Sequence, residues 1–322
     1  MGIARAEVPA RAGLVGNPSD AFGGAIAGIT IEELSATVVA EPSLAVELEA
    51  DGEALEFESF ARLAHAERHP RTGPLGLIWA AAKRYVTERP EHGETNAHLK
   101  LESSTIPPGV GLAGSSAIVI ATLRALGDLF GDEISDQDLP SVALAAERDE
   151  LGITAGLGDR VVQVYGGLVY LDLARSGGPR VEPLDASRLP DLFVAWRPDA
   201  ATDSGHVHNE MRERFKAGDQ EVVATMREIA GLARAALKPL LTGDGSGLAI
   251  LMERNLELRR TLYDLDERHT AMADAAHELG SAVNYTGSGG AIVGLLRDGN
   301  QLAELRESLG KLGCQLVVRR AA

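Results

Sequence analysis

The sequence predicts a mixed α+β fold in two domains, and three observations lead to this prediction. The chain has 322 residues, which is enough for two domains with substantial cores. Alternating runs typical of strands and longer runs of helical periodicity both occur along it. They do not follow one another in the regular strand–helix order of a barrel. We therefore expect an N-terminal domain over residues 1–185 and a C-terminal domain over residues 186–322.

The predicted N-terminal domain begins with strands and continues with strands and helices. Short runs rich in Val, Ile and Leu alternate with polar positions, whereas other segments show helical spacing. The predicted strands cover 3–15, 24–48, 98–102 and 166–173, and the predicted helices cover 73–88, 115–130 and 135–151. We expect Ser135 or Asp136 to cap the last helix.

The predicted C-terminal domain is dominated by helices and follows a turn signal at Ser176-Gly-Gly-Pro179. An apolar run over 192–196 opens it. Helical patterns follow over 206–217, 219–240, 247–265 and 268–280, and then come strands over 281–285, 291–296 and 314–319 with a helix over 300–312. This ending is typical of half of a small α/β sandwich.

Composition and charge exclude several classes of function. The chain is 45% hydrophobic and 24% charged, as soluble globular proteins are, and its net charge is −16. That charge argues against a nucleic-acid partner. The single cysteine, Cys314, excludes a disulfide framework or a cysteine-based metal site within one chain. No apolar run approaches the roughly 18 residues of a membrane span, so we expect a cytoplasmic protein without a membrane partner.

The segment Pro107-Pro-Gly-Val-Gly-Leu-Ala-Gly-Ser-Ser-Ala117 is the most informative part of the chain. Glycine lets backbone amides approach a ligand closely, and the first turn of a helix offers unpaired N–H groups that favour phosphate. Ser115 and Ser116 can each cap that helix or offer a hydroxyl to a phosphate or a metal ion. The segment indicates a nucleotide-phosphate cradle. An ordinary strand-to-helix turn is the alternative.

Residues Gly109–Gly114 also satisfy the dinucleotide-binding pattern G-x-G-x-x-G. That pattern needs a strand directly before it and an acidic residue at the end of a second strand about 20 residues later. Here Ser104–Pro108 separates strand from loop, and Asp128 and Asp132 fall at a helix end. No lysine follows the glycines as a Walker A motif requires. The spacing therefore disfavours both nucleotide-binding motifs.

Three further segments contain candidate functional side chains. In the segment 146–160, a glycine-punctuated loop follows a helix and presents Asp159 beside Arg160, which suits either a general base or an ion pair that holds the loop. Glu147 could reach a metal ion from that helix or be solvated. Two more glycine-rich turns lie at 16–20 and 286–290, and either could be an ordinary turn between strands.

The order of these segments resembles that of the GHMP small-molecule kinases, and within them the plant-type glucuronokinases. The similar stretches spread over nearly the whole chain. They are Gly16–Asp20, Gly111–Val119, Glu150–Ile153, Ala155–Leu157, Asp159–Val161, Gln163–Val169, Asp203–Gly205 and Thr286–Ala291. The resemblance implies an N-terminal domain like domain 2 of ribosomal protein S5 and a ferredoxin-like C-terminal domain.

The resemblance also implies roles for individual residues. The residues implied to bind the ATP phosphates are Pro108, Gly109, Val110, Gly111, Leu112, Ala113, Gly114, Ser115 and Ser116. Ser116 and Glu147 would hold Mg²⁺, although Glu150 is the alternative because the spacing to Asp159 differs by one residue from that of mevalonate kinase. Asp159 would remove the proton from the sugar hydroxyl. Arg11 would stabilise the Asp159 anion or the transferring phosphoryl group.

The acceptor side follows from the same resemblance. Asn17, Ser19 and Asp20 would bind sugar hydroxyls, and Gly287, Ser288 and Gly289 would back the substrate. A sugar acid also needs a cation for its carboxylate, for which the candidates are Arg160, Arg197, His206 and His208. A metal site on the two histidines is a separate reading that lacks an evident third ligand.

The implied function is an ATP- and Mg²⁺-dependent kinase that phosphorylates the anomeric hydroxyl of D-glucuronate. Alternatives within the family are galacturonate, a neutral hexose or pentose, a heptose or mevalonate as acceptor. Alternatives outside it are a dinucleotide-dependent oxidoreductase and a catalytically inactive sugar sensor. The expected partners are the sugar and ATP alone, on a monomer or a homodimer.

Overall fold

The computed structural model describes residues 2–67, 73–200, 211–263 and 265–321. Residue contacts divide the chain into two compact units that are discontinuous in sequence. The first unit comprises Met1–Ala10, Leu34–Ile106 and Ala113–Val164. The second comprises Arg11–Glu33, Pro107–Leu112 and Tyr165–Ala322. The predicted domain boundary after residue 185 falls within the second unit and stays a prediction.

Two of the strands in the first unit continue into residues that belong to the second unit. Strands β1 (Ala4–Val15) and β2 (Ala25–Pro42) each contribute residues to both units. In the first unit the strand order is β4 (Glu53–Phe57), β3 (Val46–Ala50), β5 (Ala97–Ser104) and β2, with β1 also paired to β2. Only β3 and β5 among the pairs with described register run parallel. Alternate residues of β3 are buried, as one apolar face requires.

Helices pack on these strands and carry the predicted site residues of the first unit. They are α1 (Phe60–Ala64), α2 (Pro74–Glu88), α3 (Gly114–Phe130), α4 (Leu139–Ala145), a π-helical turn (Ala146–Glu150) and α5 (Gly158–Tyr165). The α3 helix packs against α2 through a nearly continuous apolar surface. It ends at Gly131, whose φ of 68° is the left-handed conformation typical of a helix C-terminus.

The second unit contains two groups of strands. Residues 25–29 of β2 pair with β6 (Leu168–Asp172), which pairs with β7 (Arg180–Leu184). A separate antiparallel sheet has the order β11 (Gln315–Arg319), β8 (Leu192–Trp196), β10 (Ala291–Leu295) and β9 (Val283–Tyr285). Its helices are α6 (Gln220–Thr242), α7 (Gly245–Leu262), α8 (Glu267–Glu278) and α9 (Gly299–Lys311).

The chain order around this antiparallel sheet confirms the predicted ferredoxin-like arrangement. One strand is followed by helices, then by a hairpin of two strands, one helix and a last strand, which is the β-α-β-β-α-β pattern. The mixed α and β content is likewise confirmed. No helix in the described parts of the chain has the length and apolar character needed to cross a membrane.

Several predicted boundaries were wrong in informative ways. The helix predicted over 135–151 begins at Leu139, and Asp138, not Ser135 or Asp136, is its N-cap residue. It continues into the wider π-helical turn instead of ending as a regular helix. The predicted loop around Asp159 is the first turn of α5. The hairpin of β3 and β4, helix α1 and strand β7 were not predicted. The predicted helix over 206–217 lies partly outside the described residues, and 211–216 are helical.

Candidate active site

The central glycine-rich loop ends in an uncapped helix start. Ala113 is the N-cap of α3, with φ 61° and ψ 39°, and no side chain of the described residues caps this helix start. Of the two roles considered for Ser115 and Ser116, the structure does not show the capping role, because the N-cap residue is Ala113. The left-handed backbone conformation is unfavourable for alanine, so contacts of the surrounding structure must offset its energy. The first turn has no acidic residue and no side-chain cap from its N-cap residue, and such a turn is suited to binding an anion.

Gln163 on α5 holds this helix start in place. Its side-chain amide donates to the carbonyl oxygens of Pro9 at 2.9 Å and Ala113 at 3.0 Å. The Ser116 hydroxyl donates to the Gln163 Oε1 at 2.6 Å. Ser116 and Gln163 are both buried, so these bonds replace water contacts that neither side chain can make. The predicted ligand Ser116 is thus oriented by a residue that the sequence reasoning did not select.

Glu147 and Arg160 form a buried ion pair in the first unit. They are 1% and 3% exposed, and the Arg160 Nε donates to the Glu147 Oε2 at 2.8 Å. The Arg160 Nη2 makes a second, very short contact with the same oxygen. Burial raises the pKa of Glu147, and the guanidinium of Arg160 opposes that change. The carboxylate sits on a π-helical turn, a feature that is frequent at functional sites.

Asp159 lies beside this pair but is more accessible. Its side chain is 31% exposed, and its Oδ2 lies 3.8 Å from the Arg160 Nη1. The same Nη1 donates to the carbonyl oxygen of Gly156 at 2.8 Å, which anchors the guanidinium to the loop before α5. Arg160 thus neutralises a buried carboxylate and flanks an accessible one. The alternative metal ligand Glu150 instead pairs with Lys83 and Arg84 at 3.3 and 3.5 Å.

In the second unit, the two glycine-rich loops pack backbone against backbone. A Cβ added to Gly287 would lie 2.5 Å from the Gly111 carbonyl oxygen, and one added to Gly111 would lie 2.8 Å from the Gly289 carbonyl oxygen. Such distances leave no room for a side chain. Gly111 also has a φ of 77°, a conformation that glycine adopts without strain. Glycine is therefore required at both positions for the loops to approach.

Arg11 connects these two loops. Its Nη1 donates to the carbonyl oxygens of Gly111 at 3.0 Å and Thr286 at 2.7 Å, and its backbone amide donates to Leu112 at 3.2 Å. The Thr286 hydroxyl donates to the Gly111 carbonyl at 2.9 Å. Arg11 is buried, and these contacts organise the backbone of both loops. The catalytic role implied for Arg11 stays a prediction.

The three residues implied to bind sugar hydroxyls differ in availability. The Asn17 side chain is buried between Tyr285, whose carbonyl it contacts at 2.7 Å, and Asn284, whose amide donates to it at 3.1 Å. The buried Ser19 hydroxyl donates to the Ala25 carbonyl at 2.9 Å. The Asn17 side chain therefore attaches the turn to β9, and the Ser19 side chain attaches it to the start of β2. Asp20 is partly exposed and remains the side chain of this turn best placed for a ligand.

The proposed cations for a sugar carboxylate are already engaged or fall outside the described residues. Arg160 is paired with Glu147, and Arg197 binds both oxygens of Asp199 at 2.9 and 2.6 Å. His206 and His208, together with the stretch Asp203–Gly205, lie outside the described residues.

Two buried polar residues of α7 were missed. Asn255 accepts the Gly16 amide at 2.6 Å and donates to the Asn17 carbonyl at 3.1 Å. Arg259 donates to the carbonyl oxygens of Tyr285 and Gly287 at 3.2 and 2.5 Å. They are four residues apart and share one helix face with buried apolar side chains. Polar residues at positions 255 and 259 interrupt the apolar face of α7, and this pattern in the sequence could have identified Asn255 and Arg259.

Two side chains of the first unit, Ser116 and Glu147, could hold a divalent cation. The Ser116 hydroxyl and the Glu147 carboxylate are the hard oxygen ligands that Mg²⁺ takes in proteins. The two hydrogen bonds that Arg160 donates to Glu147 both reach the same carboxylate oxygen, Oε2. The chemistry of this donor set fits Mg²⁺.

Comparison with known proteins gives a consistent result. Residues 76–167 match the family "GHMP kinases N terminal domain". The chain is 35% identical over 325 residues to Glucuronokinase 1 of Arabidopsis thaliana, covering 95% of this chain and 89% of that protein. It is 36% identical to Probable glucuronokinase 2 of the same plant, covering 94% and 87%.

Solved structures agree with the fold. Mevalonate kinase from Methanococcus jannaschii superposes with a TM-score of 0.80 at 19% identity, covering 98% of both chains. Galactokinase from Lactococcus lactis, solved with galactose, superposes with a TM-score of 0.81 at 17% identity, covering 99% of this chain and 93% of that one. At these identities the likeness establishes the fold alone.

Proposed function

This chain belongs to the GHMP kinase family, and we propose that it is a glucuronokinase that transfers a phosphoryl group from ATP to D-glucuronate. The acceptor is the anomeric hydroxyl, and the product is D-glucuronate 1-phosphate. The observation that carries the proposal is the 35–36% identity to two plant glucuronokinases over nearly the full length.

The residues of the chain contribute mainly positioning and charge. The transition state of phosphoryl transfer requires little covalent help from a protein, so most of the rate comes from holding the groups in line and neutralising charge. The uncapped amides at the start of α3 and the close backbone packing of Gly111 support phosphate binding. Arg11 and Thr286 keep that backbone in place.

Asp159 is the proposed general base. It accepts the proton of the attacking hydroxyl, and its partial exposure supports this role because a base must reach its substrate. Arg160 at 3.8 Å stabilises the negative charge of the carboxylate. The buried Glu147 anchors Arg160 from the other side, which keeps the guanidinium in position.

Ser116 and Glu147 are the proposed Mg²⁺ ligands. When bound, the ion would neutralise charge on the β- and γ-phosphates. Gln163 fixes the rotamer of Ser116 through the 2.6 Å hydrogen bond, and Arg160 fixes that of Glu147. The chain thus holds both oxygen ligands rigidly.

Two other functions have less support from the chain. The dinucleotide pattern at Gly109–Gly114 is accounted for by the family's own phosphate loop. A catalytically inactive sugar sensor is disfavoured because Arg11, Ser116, Glu147 and Asp159 are all present.

The direct test is ADP release with Mg·ATP across a panel of acceptors. The panel contains glucuronate, galacturonate, glucose, galactose, arabinose, fucose and mevalonate. We expect glucuronate to give the highest kcat/KM and a product whose phosphate is on the anomeric carbon. Higher kcat/KM with a neutral sugar or mevalonate would replace the acceptor while leaving the kinase assignment intact. Tight sugar binding without any turnover would support the sensor instead.

A further inference from the structure

Arg259 is an unusual buried cation in the second unit. It is 2% exposed, and the ionisable groups of the described residues that act on its charge are Tyr263, Tyr285 and Arg11, none of which is a carboxylate. Its two terminal nitrogens donate to the carbonyl oxygens of Tyr285 and Gly287. Its Nε is buried and has no hydrogen-bond partner among the described residues. A buried charge without a counter-charge is costly, so its presence calls for a reason.

A second unsatisfied donor lies one helical turn away. Tyr263, directly after α7, is 7% exposed, and its hydroxyl is buried without a partner among the described residues. Burial raises the pKa of Tyr263 to about 12, with Arg259 opposing and Asp20 adding to the rise. The hydroxyl is therefore protonated at neutral pH and available as a donor. The Arg259 guanidinium carbon lies 6.0 Å from the centre of the Tyr263 ring.

The surroundings connect these donors with the acceptor side. Arg259 binds the backbone of Gly287, in the loop implied to back the substrate, and Asp20 is close enough to Tyr263 to influence its charge. Asp20 is the partly exposed carboxylate of the turn implied to bind sugar hydroxyls. A sugar acid carries both hydroxyls and one carboxylate. The Asp20 carboxylate can accept hydrogen bonds from the sugar hydroxyls, and the Arg259 Nε and the Tyr263 hydroxyl can donate to the sugar carboxylate.

We propose that Arg259 and Tyr263 bind the carboxylate of the sugar-acid acceptor and thereby determine its selectivity over neutral sugars. This proposal rests on the proposed function and specifies the residues behind it. The carboxylate supplies the counter-charge that Arg259 lacks and accepts hydrogen bonds from Nε and from the Tyr263 hydroxyl. A neutral sugar leaves both donors unsatisfied, which is an effective means of rejecting it.

The test compares Arg259→Lys, Arg259→Met and Tyr263→Phe with wild type, using D-glucuronate and its uncharged analogue D-glucuronamide. We expect the KM for glucuronate to rise about 10-fold in Tyr263→Phe and 100-fold or more in Arg259→Met, with an intermediate rise in Arg259→Lys. The KM for Mg·ATP should stay within about twofold, and the KM for glucuronamide within about threefold. Arg254→Met is the control, since Arg254 is an exposed residue of α7 paired with Glu228 and Glu257.

The outcomes separate this proposal from its alternatives. If Arg259 only supports the Gly287 loop, its variants will raise the KM values for ATP, glucuronate and glucuronamide together, and the proposal is overturned. Tyr263→Phe keeps the ring and removes only the hydroxyl, so it gives an answer even if the Arg259 variants do not fold. Unchanged glucuronate KM in folded variants overturns the proposal but leaves the glucuronokinase assignment standing. If wild type phosphorylates only neutral sugars, the assignment and the proposal both fail.

Discussion

At the scale of single residues, Asp159 is the accessible member of a charged group whose other members are buried. Glu147 and Arg160 satisfy one another, and Asp159 is attached to them through a longer 3.8 Å contact. This distribution leaves one carboxylate of the group accessible, while the two buried side chains are held by their own hydrogen bonds. It is the arrangement expected of a general base with a fixed electrostatic environment.

Asp159→Asn should therefore lower kcat by roughly 10²-fold or more while the KM for ATP stays within about twofold, because an amide cannot accept the proton. Steady-state kinetics with glucuronate and Mg·ATP measure both values. Asp128→Asn, at an exposed position on α3, is the matched control and should behave like wild type. A kcat near the wild-type value in Asp159→Asn would remove Asp159 as the base.

A second prediction at the scale of single residues concerns Gly287. Because a Cβ there would lie 2.5 Å from the Gly111 carbonyl oxygen and 3.1 Å from the Arg11 Nη2, Gly287→Ala must displace one of the two loops. We expect the free energy of unfolding to fall by about 1–3 kcal/mol, as overpacking usually causes, and the KM for ATP to rise.

Urea unfolding measures the effect of Gly287→Ala, with Gly231→Ala as its control. Gly231 lies within α6 with open space around its Cβ position, so alanine should stabilise the protein there by about 0.5–1 kcal/mol. Equal stability of Gly287→Ala and wild type would mean that the two loops do not pack as closely as described.

At the scale of elements, β6 is attached to α6 by one ion pair. Asp172 at the end of β6 accepts hydrogen bonds from the Arg234 Nε at 2.8 Å and Nη2 at 3.0 Å, and from the Ala174 amide at 3.1 Å. The Arg234 hydrogen bonds, with the Ala174 amide contributing less, hold the pKa of Asp172 below its usual range. A bidentate ion pair of this kind fixes the position of α6 relative to β6.

Arg234→Gln should reduce the free energy of unfolding by about 1 kcal/mol at pH 7, a low value because the Arg234 side chain is 42% exposed and screened by water. The folded-state pKa of Asp172 is lowered, so its stabilisation is present above its unfolded pKa of about 4 and is lost as pH falls below that value. The difference from wild type should therefore shrink between pH 5 and pH 3. Urea unfolding at several pH values measures it, and Arg227→Gln, an exposed change on the same helix, should show no such trend. A pH-independent difference would contradict the assignment.

At the scale of the whole molecule, a protein with a net charge of −16 is proposed to bind ligands that are themselves anions. Long-range electrostatics therefore oppose binding, and affinity must come from local donors. The donors that we propose for this purpose are the uncapped amides at the start of α3 and the buried Arg259.

Nucleotide binding should accordingly stabilise the whole chain. Mg·ATP at about 100 times its Kd should add about 2.7 kcal/mol, which corresponds to a rise of a few degrees in Tm. Chelating Mg²⁺ with EDTA should reduce this shift, whereas NADH at the same concentration should produce a smaller one. Differential scanning fluorimetry measures all three. A larger shift with NADH than with Mg·ATP would revive the dinucleotide interpretation of Gly109–Gly114.

The sequence by itself determined the mixed α+β class, the helix after the central loop and the family. These depend on local requirements, since apolar spacing defines helices and strands, and glycines mark turns that only they can adopt. The sequence could not determine which polar side chains form hydrogen bonds within the fold and which remain accessible to a ligand. Asn17 and Ser19 looked like ligands for a sugar, yet both are buried in contacts with backbone carbonyls.

Only the tertiary structure decided the partners that are distant along the chain. Arg11 bonds carbonyl oxygens 100 and 275 residues away, and Glu147 is paired with Arg160 one element later. Arg259 gave no local signal beyond its place on a helix face, and its lack of a carboxylate partner among the described residues is visible only once the chain is packed. The physical reason is that burial and the choice of hydrogen-bond partner are properties of packing, which a local pattern constrains but does not specify.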